Sequence, residues 1–406
     1  MNREIRFLIC GPPLSGNQGG PALVRGTVRS IQEHLPMSRV RLLSLQGEKD
    51  RRHGARYGVT VAEAKLWHLP FAFLRCCLWA LLQKGEFLTR WLLSRNPILK
   101  EYLEADVILN VTGIGFHEFF GKLVVIKHAL WLLPSIILKK PVVVYSQSMG
   151  PFSGLLNRFL ALFCLNRVDG LVVRGEISRL HLRKLGIHRP IHVLPDVGFL
   201  LEPAPDEETD QIMRNERIEG DKRLLVGVTV NRAIEITLGK AAPQYTEVMA
   251  RFFDYLTDHY GATMALIPHT SEDMEVGGNI FAKMKYASKG VLIKNEYTAE
   301  QLKNLIGRCH LFIGSRFHSI VASLSMTVPT MAIGWSHKYQ EVMETCGQGR
   351  FVVTFVSTTS PMDLQRVFDS LWAQRDRIRA ELLSSMPKIL NGALSGGKVI
   401  SELLIR

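Results

Sequence analysis

Short apolar segments alternate with helical patterns along nearly the whole chain, and this alternation constrains the fold more than any other feature. Strand-like runs in the first half include Ile5–Cys10, Val107–Asn110, 142–146 and 171–173, each followed by a polar loop and a helical pattern. The rhythm resumes in the second half after strand-like runs at 224–230, 263–267, 291–293, 311–313 and 330–333. Such alternation predicts parallel sheets covered by helices.

An acidic, proline-containing stretch at 202–223 interrupts this rhythm and is poor in large apolar residues. We therefore predict an α/β fold with two Rossmann-like, doubly wound domains facing a cleft. A chain of 406 residues is long enough for two domains of ordinary size. The predicted division is an N-terminal domain at 1–205, a linker at 206–223, a C-terminal domain at 224–361 and helices at 362–406.

Polar residues directly after the strand-like runs are site candidates, because doubly wound sheets bind ligands outside the carboxyl ends of their strands. Both predicted domains offer such residues. They are Asn17, Gln147 and Arg174 in the first domain, and Asn231, Arg232, His269, Ser315, Arg316, His318 and Lys338 in the second.

Arg316 and His318 form the strongest local signal. They lie on a short loop between the strand-like run at 311–313 and the helical pattern at 319–326. Backbone N–H groups and the helix dipole favour anions at such a position. A guanidinium and an imidazole two residues apart predict a site that binds a doubly charged small molecule and transfers protons near it. The alternative is a helix-entry loop with a capping role.

Two Gly-rich loops in the first half carry weaker signals. The loop at 11–20 lacks both the GxGxxG and the GxxxxGK[ST] spacing, so a flexible turn is an equally good interpretation. Gly113 and Gly115 precede His117, but no second ligand follows at the spacing that a metal requires. We predict no metal site there and expect the glycines to permit a tight turn or a close approach of the backbone to a ligand.

The formal net charge of +13 predicts anionic partners, which include phosphorylated metabolites, anionic lipids and nucleic acid. The sequence contains neither CxxC spacing nor a dense basic run interleaved with aromatic residues, so zinc modules and nucleic-acid binding have little support. The six scattered cysteines are typical of reduced core residues in a cytoplasmic protein.

The apolar segment at 66–82, LWHLPFAFLRCCLWALL, has two interpretations. It is shorter than the roughly 20 residues that a spanning helix needs, and Pro70 and Arg75 interrupt it. A buried or half-buried helix is one interpretation. The other is an interfacial helix that makes peripheral contact with the inner face of the plasma membrane, through Trp67, Trp79 and Trp91 near the basic residues Lys84, Arg90 and Arg95.

The order of eight short motifs resembles the polysaccharide pyruvyl transferase family from about residue 5 to residue 350. The motifs are GNQGG, TGIG, SQSMGP, VRGEIS, LPDVGF, VTVNR, IPH and GSRFHSIVASLSMTVPTMAIGWSHK. The resemblance implies a fold similar to the GT-B glycosyltransferases. It also implies transfer of pyruvate from phosphoenolpyruvate to a sugar of a cell-surface polysaccharide or glycan, as a ketal.

The resemblance also implies roles for individual residues. The family's Arg-x-His motif falls on Arg316 and His318, its downstream Lys on Lys338, its Pro-His element on His269, and its strand-end Arg on Arg174. We expect His318 to be the general acid and His269 a base for the acceptor hydroxyl. A helix N-terminus lowers the pKa of an imidazole and a bound dianion raises it, so protonation of His318 is expected to accompany substrate binding.

Two loops depart from the family pattern, both in the first domain, where the acceptor is expected. Gly20-Pro21 stands where an acidic residue is usual, and Thr112-Gly113-Ile114-Gly115 replaces a triple glycine.

The expected ligands are therefore phosphoenolpyruvate as co-substrate and a sugar or lipid-linked glycan acceptor, without a cofactor, a metal or nucleic acid. The oligomeric state is left open. Two other functions stay open as well. One is a GT-B glycosyltransferase that uses a nucleotide sugar, and the other is a non-catalytic relative in glycan assembly.

Overall fold

In the computed structural model the chain forms two compact units. The structure describes residues 4–82, 93–117, 119, 121–218 and 224–405. The first unit contains the chain up to residue 15, residues 23–200 and the chain from residue 391 onwards. The second unit contains residues 16–22 and 201–390.

The first unit is built on a parallel sheet of eight strands. Their order is β3-β2-β1-β4-β6-β7-β8, and the short β5 pairs with β6. The strands are β1 Ile5–Cys10, β2 Ser38–Ser44, β3 Thr60–Glu63, β4 Val107–Asn110, β5 Ile114–Gly115, β6 Val142–Met149, β7 Gly170–Val173 and β8 Ile191–Val193. The helices along this part of the chain are α1 Gly19–His34, α2 Glu48–Gly54, α3 His68–Leu82, α4 Pro97–Glu104, α5 Lys122–Ile137, α6 Leu155–Leu165 and α7 Glu176–Leu185.

The central strands of this sheet are covered on both faces, which explains their continuous apolar runs. Alternate side chains of β1 enter different cores, since Leu8 and Cys10 pack with α3 to α7, while Phe7 and Ile9 pack with α1 and Ile400.

The second unit contains a parallel sheet of six strands in the order β11-β10-β9-β12-β13-β14. These strands are β9 Leu225–Thr229, β10 Thr263–Leu266, β11 Val291–Leu292, β12 Leu311–Gly314, β13 Thr330–Gly334 and β14 Val352–Thr354. The remaining helices are α8 Asp206–Asn215, α9 Arg232–Leu238, α10 Ala242–Tyr260, α11 Ser271–Lys283, α12 Ala299–Gly307, α13 Phe317–Ser325, α14 Lys338–Thr345, α15 Pro361–Ala373 and α16 Arg375–Ile405.

Both sheets have the doubly wound order, and the predicted fold class of two Rossmann-like sheets is confirmed. The order reverses between β1 and β4 in the first unit and between β9 and β12 in the second. Ligands of such folds bind at this switch point.

The observed division of the chain differs from the predicted one in three places. The predicted linker at 206–223 begins with α8, which packs on α12 through the buried Ile212; residues 219–223 lie outside the described residues. Residues 16–22 belong to the second unit, and the chain from residue 391 onwards belongs to the first.

No helix among the described residues is long and apolar enough to cross a bilayer. Lys84, Arg90 and Trp91, which follow the segment at 66–82, lie outside the described residues.

The end of α16 belongs to the first unit because glycines let it approach the core closely. The backbone N–H of Gly397 donates to Ser30 Oγ at 2.9 Å, and the Tyr145 hydroxyl lies 2.8 Å from the same oxygen. A Cβ on Gly397 would overlap the Ser30 carbonyl oxygen, and one on Gly396 would overlap the Tyr145 hydroxyl.

We expect Gly397→Ala to lower the free energy of unfolding by about 1–3 kcal/mol, because the added methyl meets rigid backbone. Urea denaturation followed by tryptophan fluorescence measures this. Gly278→Ala is the matched control, since Gly278 lies inside α11 with open space around its Cβ position. A denaturation midpoint for Gly397→Ala equal to or above that of the unchanged protein would contradict the close packing.

Candidate active site

The switch point of the second sheet is held together by hydrogen bonds between the ends of β9 and β12. Gly314 lies opposite Thr229 in the parallel register. The N–H of Ser315 donates to the Thr229 carbonyl at 2.9 Å and to Thr229 Oγ1 at 3.1 Å. Arg316 follows in an extended conformation and is the residue from which α13 begins. The loop with Arg316 and His318 is therefore fixed at the sheet edge where ligands bind.

Arg316 is held by a buried carboxylate. Its Nε donates to both oxygens of Asp273 at 3.0 and 2.9 Å, and its Nη2 donates to Asp273 at 2.5 Å and to Thr270 Oγ1 at 2.8 Å. The Arg316 side chain is 19% exposed, whereas that of Asp273 is 1% exposed. Among the described residues none accepts a hydrogen bond from Nη1, so this nitrogen is available to a ligand in a fixed orientation.

Asp273 is the residue that organises this part of the site, and the sequence analysis missed it. It lies in the first turn of α11 and accepts hydrogen bonds from the backbone N–H groups of His269 and Thr270, both at 3.1 Å. The bond from Thr270 is half of a capping box, in which the side chain three positions after the N-cap residue accepts a hydrogen bond from the backbone N–H of that N-cap residue. The Thr270-x-x-Asp273 spacing directly after Pro268-His269 was the signal that could have identified it.

His269 is brought into the same cluster and is uncharged at neutral pH. Burial lowers the pKa of its imidazole to about 4; the Asp273 carboxylate opposes this shift and the Arg316 guanidinium adds to it. Nδ1 lies 3.4 Å from the Ile267 carbonyl oxygen, which favours a proton on Nδ1 and a lone pair on Nε2. A neutral imidazole of this kind accepts a proton more readily than it donates one.

His318 is the second residue of α13 and is half-buried. Its ring packs edge-on against Phe317, with centroids 5.2 Å apart. A Cβ on Gly19 would overlap His318 Nδ1, so the backbone of the segment 16–22 lies directly against the imidazole. The structure thus corrects the assignment of Asn17 to the first domain: Asn17 is exposed, belongs to the second unit, and accepts a hydrogen bond from the Gly19 N–H at 2.8 Å.

Lys338 lies close to the same loop, as the first residue of α14. Its Nζ is 4.6 Å from the Trp335 ring centroid, 5.1 Å from Tyr339 and 5.8 Å from Phe317, the residue before His318. The aromatic rings therefore keep the ammonium beside the loop.

Asn231 and Ser315 brace the loop through buried hydrogen bonds. Asn231 Nδ2 donates to the Ser315 carbonyl at 2.8 Å, while its Oδ1 accepts from the Ala233 N–H at 2.9 Å and caps α9. The Tyr339 hydroxyl donates to the same Ser315 carbonyl at 2.9 Å. The amide nitrogen and the amide oxygen of Asn231 thus both form hydrogen bonds that hold described parts of the chain together.

Arg232 is not part of this cluster. It pairs with Glu235 of its own helix at 2.5 Å, and it lines a separate cavity of about 580 Å³ between α9, α10 and α11.

In the first unit, Gln147 and Arg174 lie at the carboxyl ends of adjacent strands. Gln147 Nε2 donates to the Asn110 carbonyl at 2.6 Å, and its Oε1 accepts from Thr112 at 3.0 Å. Arg174 forms a buried ion pair with Asp196, and its Nη2 lies 3.5 Å from where a Cβ on Gly113 would stand.

Glu176, two residues after Arg174, pairs with Arg179. Asp196 is a second residue whose role the sequence analysis did not identify, although it lies within the LPDVGF motif.

The described residues include no group of three or more His, Cys, Asp or Glu side chains placed to hold a metal ion.

The fold of the chain is similar to those of several solved structures. The fold is similar to Anabaena HepE in complex with UDP and glucose, with a TM-score of 0.63, 12% identity and 99% of each chain covered. It is also similar to the UDP-GlcNAc 2-epimerase of Neisseria meningitidis, with a TM-score of 0.62, 11% identity and 99% and 100% of the two chains covered. At such low identity the likeness shows the fold alone, which is that of the GT-B-like proteins.

Residues 48–337 match the polysaccharide pyruvyl transferase family, and the chain belongs to that family. It is therefore a transferase of polysaccharide synthesis. A curated relative, the amylovoran biosynthesis protein AmsJ of Erwinia amylovora, is 25% identical over 372 residues, which cover 84% of this chain and 86% of the relative.

We expect a double-mutant cycle of Arg316→Met and Asp273→Asn to give a coupling free energy of about 1–3 kcal/mol, because removal of either partner leaves the other poorly compensated in a largely buried site. Urea denaturation of the two single variants and the double variant measures the coupling. The exposed pair Arg251–Glu247 is the matched control and should couple far more weakly. Equal coupling in the two cycles would contradict the organising role of Asp273.

Proposed function

We propose that this chain transfers a pyruvyl group from phosphoenolpyruvate to a sugar of a cell-surface polysaccharide or glycan precursor and forms a pyruvate ketal there. The observation that carries the proposal is the Arg316–His318 loop, fixed at the switch point of the second sheet with Lys338 beside it. Family membership and the relative named for amylovoran biosynthesis support it.

The donor is proposed to bind at this loop because phosphoenolpyruvate carries both a phosphate and a carboxylate. Arg316 offers Nη1 in a fixed orientation, and Lys338 offers an ammonium. Both α13 and α14 begin without a hydrogen bond from the side chain of their capping residue, so their first backbone N–H groups favour an anion.

A bound anion favours protonation of His318. The guanidinium of Arg316 and the ammonium of Lys338 both lie near its loop and oppose a further positive charge on the imidazole. A bound anion therefore stabilises the imidazolium, and His318 becomes an acid in the complex.

The proposed chemistry needs one acid, one base and a leaving phosphate. His318 protonates the methylene carbon of phosphoenolpyruvate, and a sugar hydroxyl attacks the adjacent carbon as it loses its proton. The bond from that carbon to the phosphate oxygen then breaks, and phosphate leaves with the electron pair. A second hydroxyl of the sugar attacks the same carbon and loses its proton. The products are the ketal and inorganic phosphate.

His269 is proposed to be the base for an acceptor hydroxyl. Its pKa of about 4 leaves the imidazole unprotonated across the neutral range, and Asp273 holds its backbone beside Arg316. Because the imidazole of His269 is unprotonated at neutral pH, it has no proton to give as a general acid, which separates its role from that of His318.

The acceptor is proposed to bind at the strand ends of the first unit, where Gln147, Arg174 and the glycines of residues 112–115 meet. Asp196 compensates the charge of Arg174. We therefore assign Arg174 the role of a hydrogen-bond donor to sugar hydroxyls there.

We expect His318→Ala to reduce phosphate release from phosphoenolpyruvate by about 10²–10⁴-fold, because a general acid contributes about that much. The assay contains the acceptor, chosen from a panel of lipid-linked and nucleotide-linked sugars. His259→Ala, at an exposed position of α10, is the matched control and should keep full activity. Near-normal turnover by His318→Ala would exclude this residue as the acid.

We also expect phosphoenolpyruvate, and not UDP, to raise the melting temperature. A ligand at one hundred times its dissociation constant stabilises a protein by about 2.7 kcal/mol. Lys338→Met should reduce the shift, because one cation of the donor site is lost.

Stabilisation by UDP alone would favour a glycosyltransferase that uses a nucleotide sugar. No response to either ligand would favour a non-catalytic relative.

A further inference from the structure

Three neighbouring helices of the first unit present an exposed apolar face. α5 packs against both α3 and α6 on the same side of the sheet. Of the 20 large apolar side chains exposed among the described residues, 14 lie on these helices or just before α3. They are Leu66, Trp67, Phe71, Leu74, Leu78, Leu81, Leu82, Leu123, Ile126, Leu155, Leu156, Phe159, Leu162 and Phe163, and we call them the apolar face. The second unit exposes four such side chains.

The apolar face is the outer side of helices whose inner side is already buried. On α3, Leu69, Ala72 and Cys76 are buried, whereas Phe71 and Leu74 are exposed. The segment at 66–82 is thus half-buried, so the core of the unit explains only one side of its apolar pattern.

The most exposed side chains of this face lie on all three helices. Leu81 of α3 is 83% exposed, Leu123 of α5 is 82% exposed and Leu155 of α6 is 87% exposed. Exposed apolar side chains concentrated on packed neighbouring helices mark a contact with another apolar phase or surface.

The charge of these helices points to the nature of the partner. α3, α5 and α6 contain no Asp or Glu, although the chain has 37 acidic residues. Lys122 and Arg158 are exposed and form no ion pair with a described residue. Arg167, two residues after α6, lies with its guanidinium 3.9 Å from the centroid of the Phe163 ring. Among the described residues, the charged side chains on these three helices and Arg167 just after α6 are thus all basic.

We propose that the apolar face docks on a membrane surface that contains anionic phospholipids. Leucine, phenylalanine and tryptophan side chains would enter the boundary between headgroups and acyl chains, and the lysine and arginine side chains would meet the lipid phosphates. A second copy of this chain fits less well, because two such faces would bring like charges together. The role extends beyond the single segment at 66–82 to three helices, and it does not depend on the proposed donor chemistry.

The test is co-sedimentation of the full chain with phosphatidylcholine vesicles, with and without phosphatidylglycerol. We expect binding that is stronger with phosphatidylglycerol. The triple variant Leu78→Glu/Leu155→Glu/Phe159→Glu should lower the partition coefficient at least about tenfold, because it removes buried apolar area and adds repulsion. Ile236→Glu/Met362→Glu/Leu383→Glu, at exposed positions of the second unit, is the matched control and should bind normally.

Two further measurements test the role of the basic side chains and the folding of the variants. Lys122→Gln and Arg158→Gln should each weaken binding to the phosphatidylglycerol vesicles by about fivefold and leave binding to pure phosphatidylcholine unchanged. Phosphate release with a water-soluble acceptor should be unchanged in every variant, which shows that the variants fold and separates this proposal from the catalytic one.

Absence of binding to both vesicles would overturn the proposal. So would a dimer in light scattering that the apolar-face variant converts to a monomer while vesicle binding stays unaffected, because the face would then join two copies of the chain.

Discussion

The buried carboxylate of Asp273 is the interaction on which the candidate active site depends. It accepts hydrogen bonds from two backbone N–H groups of the loop after β10, and these bonds also cap the N-terminus of α11. Through Arg316, forty-three positions further along the chain, it also fixes the loop after β12. Two strand ends that are distant in sequence are thus joined by one ionised group. An unpaired charge at this depth would be costly, so removal of either partner is expected to destabilise the second unit.

The first unit contains the same device, since Arg174 is paired with the buried Asp196. In each unit a buried carboxylate orients an arginine at a strand end and compensates its positive charge. Such an arginine is a directional donor, whereas the ammonium of Lys338 lies beside aromatic rings, 4.6 Å from the Trp335 ring centroid. Counting cations therefore overstates the positive potential of a site like this one. In the proposed donor site, the fixed orientation of Arg316 and the helix N-termini would therefore contribute more to binding an anion than the number of cations.

The sequence predicted the fold class and the central strands because these strands are buried on both faces and read as unbroken apolar runs. β2, with the sequence SRVRLLS, and the short β3, β8 and β14 were missed, because they lie towards the sheet edges and are short or interrupted by polar residues. Arg316 and His318 were selected as candidates by their position after a strand. The capping role of Asp273 was readable from the Thr270-x-x-Asp273 spacing, but its pairing with Arg316 was not, because tertiary structure sets it. Tertiary structure also determines that residues 16–22 belong to the second unit and the chain from residue 391 onwards to the first, so the sequence did not predict either.

The contact between Gly19 and His318 has a consequence for how sequences of this kind vary. The imidazole fills the space that any side chain at position 19 would need, so a larger residue there displaces the ring. A chain that has lost the histidine is released from this constraint, and a chain that keeps it is not. Positions 19 and 318, almost three hundred residues apart, are thus coupled through one contact, and we expect them to change together among related chains.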